Sequence, residues 1–150
     1  MHLERLPNVC VLHGDAAVIL TERVPSESVD QIFINHPEPP ERTSGTDDCQ
    51  GQHLLSAAFF VDMERILKSA GTITLVSDNL PYTLSLAQTV SSSTQLSSVD
   101  LAANRSQRAG RVAVYTGEPP NHATGASSYF DRLWRNGHKT QRYFLYLRNR

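Results

Sequence analysis

Val29-Asp30-Gln31-Ile32-Phe33-Ile34, followed at once by Asn35-His36-Pro37-Glu38-Pro39-Pro40, is the stretch that decides the fold. The first six residues read as a strand. The next six read as a rigid turn, because proline fixes φ and supplies no backbone N–H. A strand that ends in a polar residue and then prolines places side chains at the carboxyl edge of a sheet, where open α/β folds bind ligands. Pro-rich turns also close strands that carry no site, so the flanking sequence has to decide.

Upstream, Val9 to Leu12 reads as a short buried strand running into Gly14-Asp15, with Asp15 placed to cap a helix over Ala16 to Thr21. Downstream, residues 41–52 (Glu41 to Gln52) are polar and rich in Thr, Ser, Gly and Asp, which predicts a mobile loop, a lid or an insertion. From His53 to Ser69 the residues Leu55, Phe59, Met63, Ile66 and Leu67 recur at helical spacing, and Gly71 reads as a left-handed stop. Thr72 to Val76 predicts a third strand that ends in Ser77-Asp78, and Pro81 opens a helix through Val90. After a Ser/Thr-rich break over 91–98, a strand falls between Val99 and Tyr115, best placed at Arg111 to Tyr115. Tyr129 to Arg135 reads as a helix ended by Gly137, and Gln141 to Arg148 as a last strand. This alternation predicts a mostly parallel α/β sheet with a two-stranded antiparallel ending, a pattern shared by several nucleotide-binding folds.

The 150 residues predict one domain, 1–150, able to bury a core without staples. Two cysteines, Cys10 and Cys49, and no leader or long apolar run point to a soluble, reducing setting. A cytoplasmic location is expected, with nuclear or organellar ones open. Cys10 and His13 form a loose C-x-x-H whose members fall on opposite faces of a strand, so no metal site is expected. The net charge is −1, but it is divided unevenly. Residues 1–100 hold 5 Lys/Arg and 13 Asp/Glu, a net −8, whereas residues 101–150 hold 9 and 2, a net +7. That asymmetry fits a nucleic-acid footprint or a solvated basic surface paired with the acidic half.

Four short elements line up at strand ends: Gly14-Asp15-Ala16, Asn35 to Pro40, Ser77-Asp78-Asn79-Leu80-Pro81-Tyr82, and Ser127-Ser128-Tyr129. Their order and spacing, with Leu67-Lys68-Ser69-Ala70-Gly71 closing the intervening helix, resemble the tRNA (guanine-N7)-methyltransferases. The resemblance implies a Rossmann-like, class I S-adenosylmethionine-dependent sheet and methyl transfer to guanine N7 of tRNA. It places Asp15 and Ala16 at the cofactor's adenine and Glu38 between cofactor and target base, as the catalytic carboxylate. It also places Arg42, Asp78, Ser127 and Tyr129 on the substrate. Such chemistry is physically sensible, since N7 carries a lone pair and needs alignment and a carboxylate near developing positive charge more than a strong base.

Several positions depart from the family pattern. The Gly-rich turn and ribose acid that hold the cofactor in this fold have no counterpart, and the chain starts at the family's third strand. The sheet is therefore expected to be truncated at its amino-terminal side, leaving the edge of Val29 to Asn35 open. Glu38 replaces Asp, Pro40 replaces Trp, the basic run after it becomes Thr43 to Asp48, and T-x-x-E becomes Ser127-Ser128-Tyr129-Phe130. S-adenosylmethionine binding is accordingly expected to be weak or absent, with little catalysis by this chain alone. The alternative is a non-catalytic RNA- or protein-binding or assembly module derived from a methyltransferase. A third reading, the Asn-Pro-Pro-aromatic turn of amino-methyltransferases, ranks last because no aromatic follows. Among single residues, His36 reads as a packed histidine, Tyr82 as helix-surface packing and Trp134 as an apolar anchor.

Overall fold

The structure is a computed structural model that describes residues 8–40, 53–102, 106–120, 132, 136–137 and 141–150. In chain order the elements are α1 (Ala16–Arg23), β1 (Val29–Asn35), α2 (Ala57–Ile66), β2 (Leu67–Ser77), α3 (Leu80–Ser93), β3 (Ser97–Ser98), β4 (Ser106–Ala109), β5 (Val112–Thr116) and β6 (Tyr143–Arg148). The sheet order is β1-β2-β6-β5-β4, with β3 paired to the far end of β6.

Three helices start as their sequences dictate. The Asp15 side chain accepts from the Ala17 N–H, Ser56 from the Phe59 N–H and Asn79 from the Tyr82 N–H, each satisfying an orphan donor of a first turn. Pro81 occupies the first turn of α3, where its missing N–H costs nothing.

The pleat then sorts the side chains by face. Ile73 and Leu75 of β2, Leu145 and Leu147 of β6, and Val112 and Val114 of β5 meet Phe60 and Met63 of α2 and Leu86 and Val90 of α3. Ile32 and Ile34 of β1 and Leu20 of α1 pack against the same cluster. Fully burying one such side chain stabilises by about 1.5–3 kcal/mol, so this face supplies most of the driving force. The opposite face carries Val76, Ala113, Tyr115, Phe144 and Tyr146, covered in part by Val99 and Leu101, with the Tyr115 and Phe144 rings stacked at 5.3 Å.

Three expectations are corrected. β1 and β2 form the sheet's one parallel pair among the described residues, so the sheet is mostly antiparallel. β1, β2 and β5 do run the same way, but β6 returns between β2 and β5 rather than joining an edge, and β4 folds back on β5 as a hairpin.

Val9 to Leu12 is not a strand. Val11 is 88% exposed, and an apolar tetrapeptide forms a strand only where a neighbour satisfies its backbone.

The second helix ends at Ile66 rather than Ser69, and Leu67 pairs with Val29 as the start of β2. Leu67 is buried at the start of β2, and an apolar residue there also continues the helical spacing, so periodicity could not separate the two. The left-handed residue is Ala70 (φ 62°), while Gly71 is required by close approach: a Cβ there would lie 2.9 Å from the Lys68 carbonyl and 3.2 Å from that of Asp30.

Among the described residues β1 is the terminal strand of the sheet, and Phe33 on it is 46% exposed. The loop expected over 41–52 and most of the helix expected over 129–135 fall on residues outside those described.

Candidate functional site

The parallel pair brings two turns to one edge. Asn35 lies opposite Val76, and the ladder extends one bond further as the His36 N–H donates to the Val76 carbonyl at 2.7 Å. His36 takes φ 49°, which turns the chain into Pro37-Glu38-Pro39-Pro40. Pro39 is buried, anchoring that turn, while Glu38 is exposed. On the neighbouring strand Ser77 is buried and its hydroxyl accepts from the Asn79 N–H at 3.1 Å. Asn79 then caps α3 through the Tyr82 N–H at 3.0 Å, and half-buried Asp78 lies between these two fixed residues. Glu38 and Asp78 thus stand just past the ends of adjacent parallel strands.

A third residue links the two turns. His53, ahead of the capped start of α2, places Nε2 2.8 Å from the Glu38 carbonyl oxygen and 2.8 Å from the Tyr82 hydroxyl. The imidazole meets the Tyr82 ring edge-on, with centroids 5.5 Å apart.

α1 begins at Ala16, capped by Asp15. Gly14 ahead of them takes φ 149°, and Asp15 is exposed, with one carboxylate oxygen 2.8 Å from the Ala17 nitrogen. The other end of α1 is held by Arg65 of α2, whose guanidinium donates to the carbonyls of Leu20 (2.8 Å) and Val24 (3.1 Å) and to the Ser26 hydroxyl (3.2 Å). Ala16 lines a cavity of about 250 Å³ between α1, α2 and β1, bordered by Leu20, Ile32, Ile34, Phe59 and Met63 among others, every lining residue apolar.

These described residues do not fit a whole S-adenosylmethionine. A ribose and a zwitterionic amino acid need hydrogen-bonding partners on burial. The cavity beside Ala16 offers no polar side chain, and Asp15 already serves as a helix cap.

Of the residues predicted for the site, the structure brings Glu38 and Asp78 to one edge and sets Asp15 and Ala16 at the start of α1. Arg42, Ser127 and Tyr129 lie outside the described residues, as does Trp134. Arg142, counted among the cations of a basic surface, is 4% exposed and ion-paired with Glu118 at 3.6 Å. Tyr82 is buried rather than on the helix surface, with its hydroxyl against His53. Sequence reasoning missed His53 and Arg65, since neither belongs to a motif and each acts through backbone carbonyls distant in sequence. Among the described residues no cluster of three or more His, Cys, Asp or Glu could hold a metal ion, and no helix is long and apolar enough to cross a membrane.

The helices on one sheet face, the parallel pair and the inserted antiparallel β6 are consistent with a Rossmann-like methyltransferase fold. The chain belongs to the family described as "Putative methyltransferase", whose family model matches residues 1–131. It is similar to the tRNA (guanine-N(7)-)-methyltransferase of Campylobacter fetus subsp. fetus, with 35% identity over 78 residues, 52% of this chain and 18% of the relative. It is also similar to the enzyme of the same name from Thermus thermophilus, with 34% identity over 83 residues, 55% of this chain and 25% of the relative. The match therefore spans about a quarter or less of those relatives' length.

Proposed function

We propose that this chain carries the target-base side of a methyl-transfer site for guanine N7 in tRNA, and that its own hold on S-adenosylmethionine is weak. The observation that carries the reading is the pairing of Glu38 and Asp78 at the ends of adjacent parallel strands, with their turns tied through His53. Alkylation at N7 leaves the purine cationic, and two carboxylates beside it stabilise that charge as it develops. Glu38 is assigned to the N7 side and Asp78 to the guanosine, with Arg42, Ser127 and Tyr129 as further substrate contacts. Asp15 and Ala16 are assigned to the adenine side of the cofactor, where they supply a small part of its contacts. The name shared by the two relatives supports tRNA as the substrate class.

A second reading, a non-catalytic module that binds RNA or protein, is favoured by β1, which has no partner on its outer edge among the described residues and carries the exposed side chain of Phe33. Calorimetric titration of the full chain with S-adenosylmethionine tests the weak-binding half of the proposal. A Kd well above about 10 μM, equivalent to less than roughly 7 kcal/mol of binding, is expected. Tighter binding means that other residues complete the cofactor site. Methyl transfer to a tRNA transcript, read as 7-methylguanosine, separates the enzyme from the binding module.

A further inference from the structure

We propose that His53 is a positioning residue: through one imidazole nitrogen it holds both the Glu38 carbonyl and the Tyr82 hydroxyl, and so fixes the spacing between the Glu38 turn and the first turn of α3 beside Asp78. The functional half of this inference rests on the reading of that edge as the target-base site.

The turn needs such a partner because it cannot bond itself. Residues 37–40 are Pro-Glu-Pro-Pro, with one backbone N–H among four residues, so its carbonyls must be met by donors from elsewhere. His53 meets one of them at 2.8 Å. A carbonyl only accepts, so this contact is attractive only if Nε2 carries the proton. The Tyr82 hydroxyl, 2.8 Å from the same nitrogen, then accepts the second branch of that N–H. One proton thus serves two elements, and a single tautomer makes the bridge. The backbone just after His53 is anchored, since Leu55 two residues on is buried and Ser56 caps α2. Tyr82 is equally constrained, buried in the first turn of α3.

The test uses the full chain labelled with ¹⁵N-histidine, the His53 ring being assigned by its loss in His53→Gln. Long-range nitrogen–proton correlation should show His53 as the Nε2–H tautomer; an Nδ1–H tautomer overturns the bridge. His53→Ala should speed exchange of the His36 amide, which sits at the base of the turn, by about tenfold. The same variant should weaken guanosine 5′-monophosphate binding by a similar factor. His53→Gln, which keeps a donor of similar reach, should restore most of both. Tyr82→Phe removes one acceptor without touching the backbone, and should give an intermediate effect even if His53→Ala folds poorly. Unchanged exchange in both His53→Ala and Tyr82→Phe, or no recovery in His53→Gln, overturns the positioning role. If the wild-type chain shows the predicted tautomer and exchange but does not bind the nucleotide, the bridge stands and the base-site reading fails.

Discussion

Removing the Arg65 guanidinium should release α1, and with it Asp15 and Ala16, from the edge of the sheet. α1 is eight residues long with none fully buried, and a helix that short is unstable alone in water. Its carboxyl end is tied down by Arg65, which donates to Leu20 at 2.8 Å, Val24 at 3.1 Å and Ser26 at 3.2 Å, a cation at the negative end of the helix dipole. Hydrogen bonds from a charged donor contribute about 1.5–3 kcal/mol each where well buried. The Arg65 side chain is 33% exposed and one guanidinium shares the three bonds, so the combined loss is set at about 2 kcal/mol. The Asp62 contact adds little, being partly exposed and long at 3.4 Å. Arg65→Ala should therefore raise the opening of α1 by roughly 30-fold, since 1.4 kcal/mol is a factor of ten. Amide exchange on the native protein reads this directly, with α1 affected more than β2 and β6. Arg65→Lys should recover less than half, because a point charge cannot reach three acceptors as a planar fork does. Unchanged α1 exchange in Arg65→Ala, or full recovery by lysine, would refute the reasoning.

Other outcomes follow from the same structure. Ala70→Gly should stabilise by up to about 1 kcal/mol in urea denaturation, because Ala70 holds φ 62°, whereas Gly71→Ala should destabilise by about 1–3 kcal/mol by pressing on two carbonyls. Arg108, Arg111 and Arg148 are exposed, with no ion pair among the described residues, so reversing them to Glu should weaken RNA binding. The salt slope should then fall by about one per lost phosphate contact; an unchanged slope makes them a solvated surface. Arg142→Glu should lower the melting temperature instead, since it sets a buried carboxylate against Glu118.

Where local chemistry decides, the sequence was legible. Asp15 and Pro81 announced their helix starts, and the strand-then-proline pattern of Val29 to Pro40 located the carboxyl edge that carries Glu38. Non-local pairing was not legible. Nothing in Gln141 to Arg148 says that it enters between β2 and β5, because alternation reports two faces and not the identity of a neighbour. Val9 to Leu12 has a strand's composition without a described strand beside it. The candidate site divides in the same way: Glu38 and Asp78 sit in motifs, while the contacts of His53 depend on a carbonyl 15 residues away and a hydroxyl 29 residues away.

The most direct measurement is a map of amide perturbations on the full chain titrated with guanosine 5′-monophosphate, run beside the 7-deaza analogue, in which carbon replaces N7. The account predicts shifts concentrated at Asn35, His36, Glu38, Ser77 to Leu80 and Tyr82, fading toward β4, and weaker binding of the analogue. Shifts centred on the β4–β5 hairpin or on the apolar cavity between α1 and α2, or equal binding of the two nucleotides, would contradict it.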